Sequence, residues 1–143
     1  MVKEINRIQD RIIEEFSTCN DWIEKYEYVI KKGKSLGSMD EQLKNDENSI
    51  GGCQSNVWIY GEMKNDTIHY SIDSDSLIVK GLISLLLEIV NDRSPEDISQ
   101  ANLYFMDVVG LNTHLSPSRL NGLQSIIKHI KEIANDFVMS ECE

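Results

Sequence analysis

Ser55-Asn56-Val57-Trp58-Ile59-Tyr60 and Thr67-Ile68-His69-Tyr70-Ser71-Ile72, separated by the turn residues Lys64-Asn65-Asp66, decide the fold class. The first run is rich in β-branched and aromatic side chains, which suit a pleated, half-buried surface. The second alternates, placing Ile68, Tyr70 and Ile72 on one face that seeks a core. Lys64-Asn65-Asp66 supplies the turn chemistry of a hairpin. A short edge strand is expected to pair nearby, from the residues just before Cys53. A two-stranded ribbon is marginal in water, so helices must cover one of its faces.

Those helices are legible on both sides. Ile5, Ile8, Ile12 and Phe16 recur at helical spacing, as do Trp22, Tyr26, Val29 and Ile30. Ser17-Thr18-Cys19-Asn20-Asp21 offers capping residues between them, and Gly33 is expected at the C′ position that ends the second helix. Residues 34–48 are polar and without period, and predict a loop with at most one helical turn near residues 39–43. After the hairpin, Asp73-Ser74-Asp75-Ser76 clusters N-cap residues before Leu77. Ile78, Val79, Leu82, Leu85, Leu86, Ile89 and Val90 then leave little polar face, as in a buried central helix. Ser94-Pro95-Glu96-Asp97 starts another helix, with Pro at N1 and acids in the first turn. Gly110 is expected to stop the helix holding Tyr104, Phe105 and Val108. Ser116-Pro117 opens the last, lined by Leu120, Leu123, Ile127, Ile130, Ala134 and Phe137. Residues 1–143 therefore read as a single α+β domain, with helices packed on one face of a small antiparallel sheet.

Charge narrows the partners. Fourteen basic against 24 acidic residues leave a net charge of −10. Phosphate neutralisation needs clustered Lys and Arg, so nucleic acid is excluded as the expected partner, and an anionic membrane surface with it. The longest apolar stretch, residues 77–90, is interrupted by Lys80 and Glu88 and is too short to span a bilayer. Residues 1–7 carry charges into an amphipathic pattern rather than a secretory signal. Three cysteines without a CxxC form no secreted framework. The expected setting is the cytoplasm.

Cys53 stands out among the reactive residues, in Ile50-Gly51-Gly52-Cys53-Gln54-Ser55. Two glycines directly before a cysteine relax the backbone and leave no side chains to block approach. A thiol presented there is accessible for exchange, which depends on thiolate fraction, nucleophilicity and access. The residues also admit a second reading, a tight turn with Cys53 as a small buried filler, which is the commoner fate of a free cysteine. Cys19, beside a helix start and Trp22, reads as a packed thiol. Cys142 lies in a tail. With no closely spaced Cys/His pair, a metal site is not indicated. His114 precedes a helix, where it either acts as a base or proton donor or satisfies loop backbone groups. Arg119, in the first turn of the last helix, is mildly disfavoured by the macrodipole. It is a candidate to hold an anion or a partner carboxylate, or a surface residue. Asp75 reads as a capping residue. His69 and His129 have no identifiable partner.

Four segments together resemble a known family. Asn48-Ser49-Ile50-Gly51-Gly52-Cys53-Gln54-Ser55-Asn56-Val57-Trp58-Ile59 resembles the GCQSxVW segment of the SufE family of sulfur acceptors. Asp73-Ser74-Asp75 followed by Ile78-Val79-Lys80-Gly81-Leu82 is similar to that family's SD…IVKGL segment. Leu111 through His114-Leu115-Ser116-Pro117-Ser118-Arg119, with Gly122-Leu123, looks like its L…HL(S/T)PSR…GL segment. Cys19-Asn20-Asp21-Trp22 through Lys25-Tyr26 matches a fourth, weaker motif. The resemblance implies a fold similar to the IscU-type scaffolds. It implies that Cys53 accepts sulfane sulfur from a SufS-type cysteine desulfurase, stimulates that enzyme, and relays the sulfur to a cluster-assembly scaffold. The pyridoxal phosphate belongs to the desulfurase, so no cofactor is implied for this chain. Self-association as a homodimer is a further implication. His114 and Arg119 fall inside the motif, with chemistry, docking and folding all open to them. An iron–sulfur scaffold and a plain adaptor without thiol chemistry are the alternatives.

Overall fold

The computed structural model describes residues 2–51 and 55–141. Its elements in order are α1 (Lys3–Ser17), α2 (Trp22–Lys34), two 3-10 turns (Glu41–Leu43 and Asp46–Asn48), β1 (Val57–Lys64), β2 (Thr67–Ser74) and α3 (Leu77–Val90). They are followed by α4 (Pro95–Gln100), α5 (Phe105–Val109), α6 (Leu111–His114) and α7 (Pro117–Glu141). The class is α+β, as expected.

β1 and β2 pair antiparallel, with Val57 opposite Ser74 and Lys64 opposite Thr67. Asn65 and Asp66 both take positive φ, 53° and 67°, which matches the hairpin's twist and which these two residue types tolerate. The period of two puts Val57, Ile59 and Gly61 on one face with Ile68, Tyr70 and Ile72. All five of the side chains on that face are buried. α7 lies across it. The Tyr70 hydroxyl donates to the Ile130 carbonyl at 2.8 Å, and a Cβ at Gly61 would meet Ile133 at 2.8 Å. The expected edge strand is reduced to one bridge, Ser49 with Trp58, beside which the Ile50 N–H donates to the Val57 carbonyl at 2.9 Å.

The hairpin's other face is met at its open end by residues 35–48. This strap contains the two 3-10 turns, one more than expected, and buries Met39. Its period is illegible because side-chain tethers, rather than an apolar stripe, hold it down.

Gly33 corrects the sequence reading. α2 runs through it to Lys34, and Gly33 is buried against α3. A Cβ there would sit 2.8 Å from both the Gly81 nitrogen and the Leu77 carbonyl oxygen. A Cβ at Gly81 would collide with the Val29 carbonyl oxygen. Close helix approach, rather than a helix stop, is what calls for glycine at 33. Gly110 does stop a helix, with φ +87° at the end of α5, but Tyr104 is that helix's N-cap residue rather than a member. Beyond Gly110 the chain makes one more short helix, α6, which the sequence pattern did not reveal. Buried Gln9 fixes the connection from α4 to α5, donating to the Asn102 carbonyl at 3.0 Å and accepting from the Phe105 N–H at 3.2 Å.

The α2–α3 contact makes a direct prediction. Gly81→Ala forces two helix backbones apart and destabilises the fold by at least about 2 kcal/mol. The denaturant midpoint will fall while the slope of the transition stays unchanged.

Candidate functional site

Cys53, the site residue expected from the sequence, lies outside the described residues, as do its neighbours Gly52 and Gln54, and Cys142. The structure shows how the two arms leading to it are held. On the incoming arm Ile50 is buried and bonded to Val57, and the Gly51 carbonyl accepts from the Ser125 hydroxyl of α7 at 3.0 Å. On the outgoing arm Asp75 takes both donors of Asn56, the backbone N–H at 3.1 Å and the side-chain amide at 2.9 Å. The Asp75 N–H in turn donates to the Asn56 carbonyl at 3.3 Å. Asp75 is therefore a clamp on this arm rather than the helix cap expected. The cap of α3 is Ser76, whose hydroxyl accepts from the Val79 N–H at 3.4 Å.

Two residues before the clamp sits Asp73, whose side chain is 2% exposed. Its carboxylate accepts from the Ser74 N–H at 2.8 Å and the Met39 N–H at 3.5 Å. Lys44 approaches it at 3.2 Å and Lys80 at 3.5 Å. Burial opposes its ionisation, but the Ser74 N–H, Lys44, Lys80 and the Met39 N–H together outweigh it and hold the carboxyl below its usual range. The Lys44 ammonium, also paired with Glu41 at 3.2 Å, lies 5.5 Å over the Trp58 ring. Glu41 and Asp73 both push its pKa upward. The sequence reads Asp73 as one of a cluster of N-cap residues, whereas β2 runs through it to Ser74 and sets it opposite Trp58, on the face the strap covers. Ser125 was missed because nothing in a helical period marks which polar residue meets a distant loop.

Cys19 is half-buried just after α1, its sulfur 4.0 Å from the Glu15 carbonyl. Burial first and then Glu24 raise its thiol pKa, with Lys25 opposing them and Asp21 adding a smaller upward push. It is held as a neutral thiol, a poor nucleophile at neutral pH. His114 ends α6 with its Nδ1 at 3.0 Å from the Gly110 carbonyl. The Thr113 hydroxyl lies 3.1 Å from the same Nδ1. The ring stacks on Trp22 at 3.7 Å and 13°, and the Tyr26 hydroxyl donates to the His114 carbonyl at 2.7 Å. Arg119 is exposed in the first turn of α7, its backbone N–H on the Ser116 hydroxyl at 3.3 Å. No hydrogen bond or ion pair among the described residues joins His114 or Arg119 to each other or to the two arms. Among the described residues no group of three or more His, Cys, Asp or Glu side chains is arranged to hold a metal ion. No helix among them is long and apolar enough to cross a membrane.

Fold and site together define a helical α+β domain in which the chain on either side of Cys53 is tied to β1, to the connection between β2 and α3, and to α7. Such a chain is similar in fold to a solved solution structure of a hypothetical protein from Thermus thermophilus. The two are 15% identical with a TM-score of 0.76, over 92% of this chain and 96% of that one. The model of the SufE family, described as an Fe-S metabolism associated domain, matches residues 10–134. The chain belongs to the SufE family, and its role lies in the sulfur metabolism of iron–sulfur biogenesis.

The depressed Asp73 carboxyl sets a pH dependence. A folded-state pKa below the unfolded value contributes stability that is present above the unfolded value and lost as pH falls through the folded one. The stability difference between wild type and Asp73→Asn is expected to be widest near pH 7 and to shrink as pH drops below about 4. Urea titrations of both proteins across that range will measure it.

Proposed function

We propose that the chain is a cytoplasmic sulfur acceptor, taking persulfide sulfur onto Cys53 from a SufS-type cysteine desulfurase and passing it to iron–sulfur cluster assembly. The observation that carries this reading is the family match over residues 10–134, which takes in Cys53 and the segments that anchor its two arms. The transfer is a thiol exchange. The Cys53 thiolate attacks the outer sulfur of the donor's cysteine persulfide, a new S–S bond forms at Cys53, and the donor's S–S bond breaks. The donor leaves as a thiolate, the proton count is unchanged, and no net oxidation occurs. Clearing the persulfide frees the desulfurase for its next turnover, which accounts for stimulation. A loop position suits this chemistry, because a large partner must bring its own sulfur within bonding distance of the nucleophile. Cys19 is a poor substitute, kept protonated by burial and by acidic neighbours.

Incubation with a cysteine desulfurase and free cysteine, followed by intact mass spectrometry and peptide mapping, tests the reading. A single added sulfur on the peptide containing Cys53 is expected; an adduct on Cys19, or none, refutes it. Cys53→Ser is expected to abolish stimulation of the desulfurase while changing stability by no more than about 0.5 kcal/mol. Cys19→Ser should keep full stimulation.

A further inference from the structure

The strap, residues 35–48, delivers the chain to Ser49 and so to the loop of Cys53. Beyond Leu36 its polar ties to the rest of the molecule converge on Asp73. Asp40, Asn45 and Asn48 make its turns through bonds that stay within the strap, at 3.0, 3.0 and 2.9 Å. Leu36 packs against the core where the strap leaves α2, and farther on the strap is tied by buried Met39, the Met39 N–H on Asp73, and Lys44, which reaches both Asp73 and the Trp58 ring. Two of those links end on one carboxylate, and the third element there is α3, through Lys80. Trp58 is in turn the residue that pairs with Ser49 on one side and with Asp73 on the other. One buried anion thus sets the strap, the base of the loop and the first turn of α3 in mutual register.

We infer that Asp73 is a positioning residue for sulfur transfer, acting through Lys44 and the strap to fix the base of the Cys53 loop. The inference rests on the acceptor reading for its functional meaning, while its structural content is testable without a desulfurase. Asp73 takes no part in bond making. Its ion pair with Lys44 fixes where the incoming arm starts, and so the range of positions from which the thiol meets a docked donor.

The test compares Lys44→Met, which removes the tether at a partly exposed site, with Lys44→Arg, which keeps the charge. Asp73→Asn serves as a second variant that attacks the anchor itself. Cys19 is an internal reference, because it lies outside the strap and reports general loosening. Alkylation by iodoacetamide under native conditions is read separately at the two thiols by mass spectrometry. Lys44→Met and Asp73→Asn are expected to change the Cys53-to-Cys19 rate ratio at least about threefold, with wild-type behaviour restored in Lys44→Arg. The maximal rate of sulfur loading from the desulfurase should fall about fivefold in the same two variants, with a smaller change in the acceptor concentration giving half-maximal rate. An unchanged ratio in Lys44→Met, or equal acceleration at both thiols, overturns the inference, since either marks a merely structural tether. If wild type takes no sulfur at Cys53 yet the ratio shifts as stated, the acceptor reading fails, and with it the role in transfer, while the structural link from Asp73 through Lys44 to Cys53 stands.

Discussion

Two helix backbones touch where α2 and α3 cross. They meet at Gly33 and Gly81 with no room for a side chain at either, and that contact fixes the position of α3 along α2. α3 also makes a large apolar commitment, burying Leu82, Ile83, Leu85, Leu86, Ile89 and Val90. At about 1.5–3 kcal/mol for each such side chain, a shift of α3 would cost more than any local hydrogen bond could offset. Its first turn therefore sits at a fixed place, and so does the segment just before it. Lys80, adjacent to Gly81, and Asp73, Asp75 and Ser76 gather where β2 hands over to α3. The chain after Cys53 is anchored to that junction through Asn56, and the chain before it to β1 through Ser49 and Ile50.

The two aspartates at the junction work in different electrostatic regimes. Asp73 is shut off from water, where an ionised carboxylate is tolerated only if paired and hydrogen-bonded. Two lysines and two backbone N–H groups meet that demand, so removing one of them leaves the others in place but weakens the hold on the strap. Asp75 is exposed, and its bonds to Asn56 compete with water, each worth about 0.5–1.5 kcal/mol. The incoming arm is thus held firmly at its base and the outgoing arm by bonds that a docking surface can replace. This asymmetry follows from burial alone.

Much of this was legible from local pattern. The α1 stripe of Ile5, Ile8, Ile12 and Phe16 is buried as its period requires, and the alternation of Ile68, Tyr70 and Ile72 marks the core face of β2. The turn at Asn65-Asp66 and the stop at Gly110 were readable because both need positive φ, which few residue types accept. What escaped was set by distant contacts. Gly33 is an ordinary C′ residue until Gly81 is known to lie across from it. Asp73 reads as one of a cluster of N-cap residues until β2 is seen to run through it and the strap to cover it, and the strap has no period because polar tethers hold it. His114 offered two readings from sequence. Its stacking on Trp22 depends on α6, a single helical turn too short to leave a pattern.

Gly51 and Asn56, next to Ile50 and Val57, are exposed. Ile50 and Val57 are buried and joined through the Ile50 N–H, so they belong to the cooperative unit that unfolds with the hairpin. Beyond them the holds are the Ser125 hydroxyl on Gly51 and the Asp75 carboxylate on Asn56, both at exposed positions. Losing one of these costs little stability, because water takes its place. Changes at these two holds are therefore separable from the stability of the domain. Cys19 lies outside both arms, half-buried just past the end of α1 with its sulfur 4.0 Å from the Glu15 carbonyl.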